Sequence, residues 1–291
     1  MTPKLTTLKA MTAVLALALL ATFTAPAERA EAQTLEQIKE TKTVRLGVRR
    51  DAAPFSSIIE GERTAGYSVD LCIAVAGQIS QMLGVGSLSV EFVEVTAENR
   101  FDSIVEGKID LLCGATSVTL SRREVIDFST PIFVDGASVL LRADGPQSFA
   151  ELEGKVIGVR GGTTTEAALE NTLIRQQVTA TVMAVTDHAD GLAALESKQI
   201  DAYFADQSIL FFLTTKSQEP TRLMVSENSF TVELYALGLP RGDNEFRLAV
   251  DRALARLFRG GAVKSLFEKN FGNAQPSEGL RYLARFGALP E

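Results

Sequence analysis

Four arginines stand at or just beyond the ends of short apolar runs. Arg49 follows VRLGV, Arg100 closes TAENR after LSVEFVEV, Arg122 lies in ATSVTLSRREV after IDLLCG, and Arg160 follows KVIGV. A guanidinium suits a carboxylate, because its planar fork donates two parallel hydrogen bonds and it stays charged. Beside these cations lie the hydroxyls of Thr116 and Ser117, Thr163 in GGTTTE, and His188 in TDHADG. Asp206 supplies one carboxylate directly after the apolar run IDAYFA. A buried carboxylate needs a partner, and either a ligand ammonium or a neighbouring Lys or Arg can serve. The set is one for holding an anionic or zwitterionic molecule.

Each residue also has a plainer reading. Arg122 falls in the first turn of a helix expected near Thr119, where the helix dipole disfavours a cation and a bound anion would offset the cost; Arg123 reads as a solvated neighbour. Thr163-x-x-Glu166 is a capping box that opens a helix with free N–H groups, so a carboxylate can dock there, and capping alone also accounts for Thr163. His188, between Asp187 and Asp190, also fits an exposed loop.

The elements that must position these residues follow from periodicity. Apolar strand candidates at 44–48, 88–95 and 109–114 alternate with helix-length segments, and the second half repeats them at 155–159, 179–185 and 200–205. Short β-rich runs alternating with helices indicate βαβ units and a parallel sheet in each half. The repetition is visible in the letters: LGVR at 46–49 answers IGVR at 157–160, and FDSIVEGKID at 101–110 answers LAALESKQID at 192–201. Ligands of open parallel sheets sit beyond the carboxyl ends of the strands, where the residues above are collected.

Composition bounds the chemistry. The first 32 residues read as a secretory signal, with Lys4 and Lys9 ahead of the apolar run MTAVLALALLATF and cleavage expected after Ala32. The remaining 259 of 291 residues suffice for one large domain or two ordinary ones. The whole chain carries −7, and the signal's net +1 (Lys4, Lys9, Arg29 against Glu28, Glu31) leaves −8 on the mature part. Such acidity argues against a nucleic-acid partner. One histidine and two cysteines are too few for a zinc site, and no cofactor is expected. Cys72 and Cys113 fall inside expected elements, where thiols pack as small hydrophobes, while an oxidising destination leaves a disulfide open.

The combination GVRRDAAPF, GYSVD, TAENR, IDLLCGATS, SRREVIDFSTPIFV, GGTTTE, TDHADG and AYFADQ resembles the solute-binding proteins of family 3, which serve ATP-driven amino-acid importers. Within them it is most similar to glutamate/aspartate-binding members. The resemblance implies an α/β, two-lobed periplasmic binding protein fold of type II, each lobe a βαβ-based sheet flanked by helices and joined by a two-stranded hinge. It divides the chain into lobe 1 at 33–135 and 235–272, lobe 2 at 136–234, and a tail at 273–291. The crossings are expected near 134–136 and 235–237. By the same resemblance Arg122, assisted by Thr163, takes the ligand α-carboxylate, and Asp206 with Thr116 or Ser117 takes the α-ammonium. Arg49, Arg100 and His188 receive the side-chain carboxylate. Three positions depart from the acidic-amino-acid pattern: Ala97 and Ala115 stand where hydroxyls are usual, and Arg160 replaces a small hydroxyl residue. Arg160 can favour a longer or more anionic ligand, or point to solvent.

The implied function is capture of L-glutamate or L-aspartate in the periplasm, by a monomer, for delivery to an ABC permease. A binding protein for another polar amino acid is the alternative, as is a dehydratase on the same fold, although no G-x-S-x-G elbow or nucleophile beside the histidine is present. A sensor role would need a separate partner, since the chain to Glu291 shows no later membrane span or kinase-like extension. The terminal SEGLRYLARF reads as an amphipathic helix packed on a lobe.

Overall fold

The computed structural model describes residues 33–59 and 63–290. The expected signal segment and its cleavage site lie outside the described residues.

Helix α1 (Gln33–Thr41) leads into β1 (Thr43–Arg49), whose Val44, Leu46 and Val48 are buried. Three short strands, β2 (Asp51–Ala52), β3 (Ser56–Ile59) and β4 (Arg63–Ala65), make a small antiparallel sheet. There follow α2 (Tyr67–Leu83), β5 (Ser89–Val95), α3 (Arg100–Val105), β6 (Leu111–Cys113), α4 (Leu120–Arg123) and β7 (Asp127–Phe128). The chain then crosses through β8 (Phe133–Asp135) to a second lobe. That lobe comprises β9 (Ala137–Arg142), β10 (Val156–Arg160), α5 (Thr164–Gln176), β11 (Thr181–Val185), α6 (His188–Glu196), β12 (Ala202–Asp206), α7 (Gln207–Thr214) and β13 (Leu223–Val225). It returns through β14 (Glu233–Tyr235) to β15 (Gly238–Leu239), α8 (Asn244–Arg259), α9 (Ala262–Phe271) and α10 (Glu278–Phe286).

Each lobe holds one five-stranded sheet, ordered β5-β1-β6-β15-β7 in the first and β11-β10-β12-β9-β13 in the second. In both, the lobe's first expected strand sits between the second and third and runs parallel to them. The letter repeat is explained by this geometry. Asp110 of the first ID pair accepts from the Arg45 backbone N–H at 2.7 Å, and Asp201 of the second accepts from that of Val156 at 3.0 Å. In both cases the aspartate's own N–H returns a bond of 2.8 Å to the same strand residue. Each aspartate thus binds the start of the central strand and sets the register of its lobe.

Of the two cysteine readings left open by the sequence, the structure has the bridge. Helix α2 packs across β6, the two cysteines are buried, and their Cα atoms approach to 6.2 Å, where Cys72 and Cys113 form a disulfide. Sequence spacing carries no information on that approach.

The lobes are joined by the antiparallel ribbon of β8 and β14, which pairs Asp135 with Glu233, Val134 with Leu234 and Phe133 with Tyr235. Its lobe 1 end is fixed by aromatic packing. Phe55 meets Phe133 and Tyr235 edge-on at 4.8 and 5.0 Å, and Phe271 stacks on Phe133 at 5.3 Å. Beyond the ribbon Gly136 passes so near the Thr231 carbonyl that a Cβ would stand 2.1 Å from its oxygen, which excludes any side chain there.

Candidate functional site

The cleft lies where the carboxyl ends of β1, β6, β10 and β12 face one another, with the ribbon at its base. Arg49, at the end of β1, is 2% exposed and donates from Nε and Nη2 to the two carboxylate oxygens of Asp51 at 2.8 and 2.7 Å. Arg100 begins α3 after a loop in which the Asn99 side chain accepts from the Thr96 N–H at 2.8 Å. It is 1% exposed, yet its Nη atoms reach a single acceptor, the Gly162 carbonyl of the other lobe, at 3.3 and 3.4 Å. Burial above all, with the nearby charges of Arg122 and Arg49, pushes its pKa down to about 9.

Arg122 is placed by the cap that Thr119 forms on its N–H, and its Nη1 donates to the Ser117 carbonyl at 2.8 Å. The helix that holds it, Leu120–Arg123, is four residues long with Arg122 third, so the dipole cost expected from the sequence is small. Burial lowers its pKa, while the Glu233 and Asp206 carboxylates oppose that fall. Arg123 is exposed.

Asp206, at the end of β12, is buried beside Tyr235, and burial first, then the charges of Glu233 and Asp135, raises its pKa well above the usual carboxylate range. Among the described residues, the buried side-chain atoms without a hydrogen-bond partner are Arg100 Nε, Thr116 Oγ1, Asp206 Oδ1 and, at the far end of the second sheet, Arg142 Nε. Three of the four therefore belong to residues singled out from the sequence. An unmet buried polar atom costs about 1–3 kcal/mol.

Thr163 is engaged by the capping role. Its hydroxyl donates to the Arg160 carbonyl at 2.7 Å and accepts from the Glu166 N–H at 3.3 Å, and Glu166 in turn accepts from the Gly162 N–H at 3.0 Å. The next residue faces the cleft base: Thr164 donates to Glu233 Oε2 at 2.8 Å and lies 3.1 Å from the Ser117 hydroxyl, which also bonds Glu233. His188 is buried at the start of α6, not exposed in a loop, with Nδ1 2.8 Å from the Tyr203 hydroxyl. Burial, aided by Arg49, pushes its pKa down to about 3, so the ring is neutral at physiological pH.

Arg160 does not point to solvent. From the second lobe its Nε donates to Asp51 at 3.0 Å and its Nη1 to Glu98 at 2.6 Å, both in the first lobe. Although burial works the other way, Arg49 and Arg160 hold the Asp51 pKa down to about 2. Polar contacts between the lobes thus include Arg160 on Asp51 and Glu98, Arg100 on Gly162, and Thr164 on Ser117.

Sequence reasoning missed Asp51, Thr164, Asp135 and Glu233. For Glu233 a signal exists: a lone carboxylate in the apolar stretch TVELYALGL needs a partner, by the argument applied to Asp206. Asp135 faces Glu233 across the ribbon, and burial chiefly raises its pKa to about 6, with Glu233 adding to the rise.

The sequence profile of the "Bacterial extracellular solute-binding proteins, family 3" matches residues 44–273. The chain is 30% identical over 249 residues to the "L-glutamate/L-aspartate-binding protein" of Pseudomonas aeruginosa, covering 85% of this chain and 82% of that protein. It is 29% identical to the "Glutamate/aspartate import solute-binding protein" of Escherichia coli, covering 94% and 91%. Among solved structures, an ancestral amino acid-binding protein described as a precursor of cyclohexadienyl dehydratase is similar at a TM-score of 0.72 and 26% identity, covering 82% of this chain and 99% of that one. An arginine-binding protein mutant from T. maritima shares the fold at a TM-score of 0.71 and 23% identity, covering 82% and 99%.

Proposed function

Because the chain belongs to the bacterial extracellular solute-binding proteins of family 3, we propose that it captures L-glutamate or L-aspartate in the periplasm and delivers it, as a monomer, to an ABC permease. The observation that carries this reading is the set of unmet buried atoms on Arg100, Thr116 and Asp206. A cation, a hydroxyl and a carboxylate that each keep one buried atom unmet match an amino acid with a second negative group.

In this reading Arg122 takes the α-carboxylate at the amino end of α5, where Thr163 holds the helix start in place. Asp206 and Thr116 take the α-ammonium, with Ser117 closing the cleft base. Arg100 takes the side-chain carboxylate, aided by His188 through Nε2 and by Arg49, whose Nε and Nη2 serve Asp51. Closure takes place between lobe 1 at 33–135 and 235–272 and lobe 2 at 136–234. It removes water from these pairs and strengthens them. Arginines buried without a counter-charge disfavour the closed state, so the ligand shifts the population toward it.

Calorimetric titration with L-glutamate, L-aspartate, L-glutamine and L-arginine tests the proposal. The expected order places an acidic amino acid first; preference for a neutral or basic one would refute it.

A further inference from the structure

Arg49, Arg160, Asp51 and Glu98 form a chain of charges across the cleft. Asp51 Oδ1 and Oδ2 accept from Arg49, Oδ2 also accepts from Arg160 Nε, and Arg160 Nη1 continues to Glu98. Two cations and two carboxylates balance within it. Arg100, next to this group, has no carboxylate partner among the described residues. Around Arg49 and Arg160 the excess is therefore one positive charge, on Arg100, while the next cation, Arg122, lies across the Phe101 ring where the α-carboxylate is expected. His188, neutral and packed on Tyr203 beside the same group, adds no further charge.

We propose that Asp51 sets the charge selectivity of the cleft: it spends most of the Arg49 fork within the protein while binding Arg160 across the lobes, and so leaves one cation, Arg100, for one ligand side-chain carboxylate. The inference rests on the acidic-amino-acid reading and adds the residue that decides how strongly an acid is preferred over its amide. Arg160 carries the second half of the device. Its side chain enters from the opposite lobe, so the balance is complete when the lobes are closed, and selectivity is tied to closure. An open cleft would leave Asp51 with Arg49 alone and Glu98 with water.

The two partners of the ion pair make opposite changes to the charge of the site. Asp51→Asn removes a negative charge and frees the Arg49 fork. Arg160→Gln removes a positive charge and leaves Asp51 and Glu98 in the first lobe. Both break the Asp51–Arg160 ion pair, and Arg160→Gln loses the Glu98 contact as well, so a role confined to holding the lobes together predicts that each variant weakens every ligand alike, with no change in the acid-to-amide ratio.

The test is calorimetric titration of the wild type, Asp51→Asn and Arg160→Gln with L-glutamate and L-glutamine, and with L-aspartate and L-asparagine, together with small-angle scattering of each protein without ligand. The expected acid-to-amide affinity ratio rises on the order of tenfold in Asp51→Asn and falls by a similar factor in Arg160→Gln, as for one charge gained or lost near a carboxylate. Both variants are expected to have a larger radius of gyration without ligand. Ratios that stay at the wild-type value, or move in the same direction in both variants, overturn the role of Asp51. A wild type that prefers the amides fails at the earlier step, by refuting the acidic-ligand reading itself.

Discussion

Arg100 and Arg122 share one aromatic ring: their guanidinium carbons lie 4.4 and 5.1 Å from the centroid of Phe101. The ring spaces two cations that would otherwise repel, and each is expected to meet a different carboxylate of one ligand. Cation–π contact offsets part of the repulsion; a dicarboxylic ligand offsets the rest.

Removing either cation should therefore give distinct results. Arg122→Ala is expected to lose nearly all binding, because truncating one partner of a buried charge pair costs about 2–5 kcal/mol. Arg100→Ala should retain amino-acid binding while its preference moves from the acid to the amide. Titration of both variants with L-glutamate and L-glutamine separates the two roles; unchanged binding by Arg122→Ala would remove the central assignment.

Ligand capture should release a proton. Burial and the neighbouring Glu233 and Asp135 raise the Asp206 pKa well above its ordinary value, and an ammonium docked on its free oxygen would lower it. Binding then strengthens as pH rises toward the pKa of the ligand-free site. Calorimetry from pH 5 to pH 8 in pairs of buffers of different ionisation enthalpy should give different apparent heats where Asp206 titrates; equal heats across the range would argue against ammonium pairing at Asp206.

His188 should make the protein acid-sensitive. Its pKa is about 3 in the folded protein against an ordinary 6.5, chiefly through burial, so between these values the unfolded chain binds a proton that the folded chain refuses. Its contribution to stability falls by about 1.4 kcal/mol per pH unit as pH drops through that window. Asp135, raised to about 6, and Asp206 slope the other way. The measurement is therefore the difference between wild type and His188→Gln in urea unfolding at pH 6 and pH 5. The wild type should lose ground to the variant on acidification.

The disulfide should matter for folding of the first lobe. It closes a loop of 41 residues, for which the chain-entropy account gives about 4 kcal/mol. A Cys72→Ala, Cys113→Ala double variant should unfold at lower denaturant concentration while keeping the ligand order of the wild type, since both cysteines are buried in the hydrophobic core. A changed ligand order would contradict that separation.

Local pattern was enough to read the three parallel strands of each lobe, the repeat and the residues at the strand ends, because burial of alternating or continuous apolar runs imposes a period on the letters; the sheets expected to be parallel are mixed, since the chain's crossings add antiparallel β9 and β15 beside the third strand of each lobe. Local pattern also exposed the matched ID pairs, although their role in binding the central strand of each lobe became visible with the backbone in place. The contacts that define the cleft have no such period. Arg160 reaches Asp51 and Glu98 from 109 and 62 positions away, and Glu233 meets Ser117 from 116. These pairings, with the Cys72–Cys113 bridge and the burial of His188, depend on how α2 lies on its sheet and how closely the two lobes approach. Side-chain charge can be read from sequence; which opposite charge neutralises it is settled by packing, since a buried ion takes whichever partner the fold brings within reach.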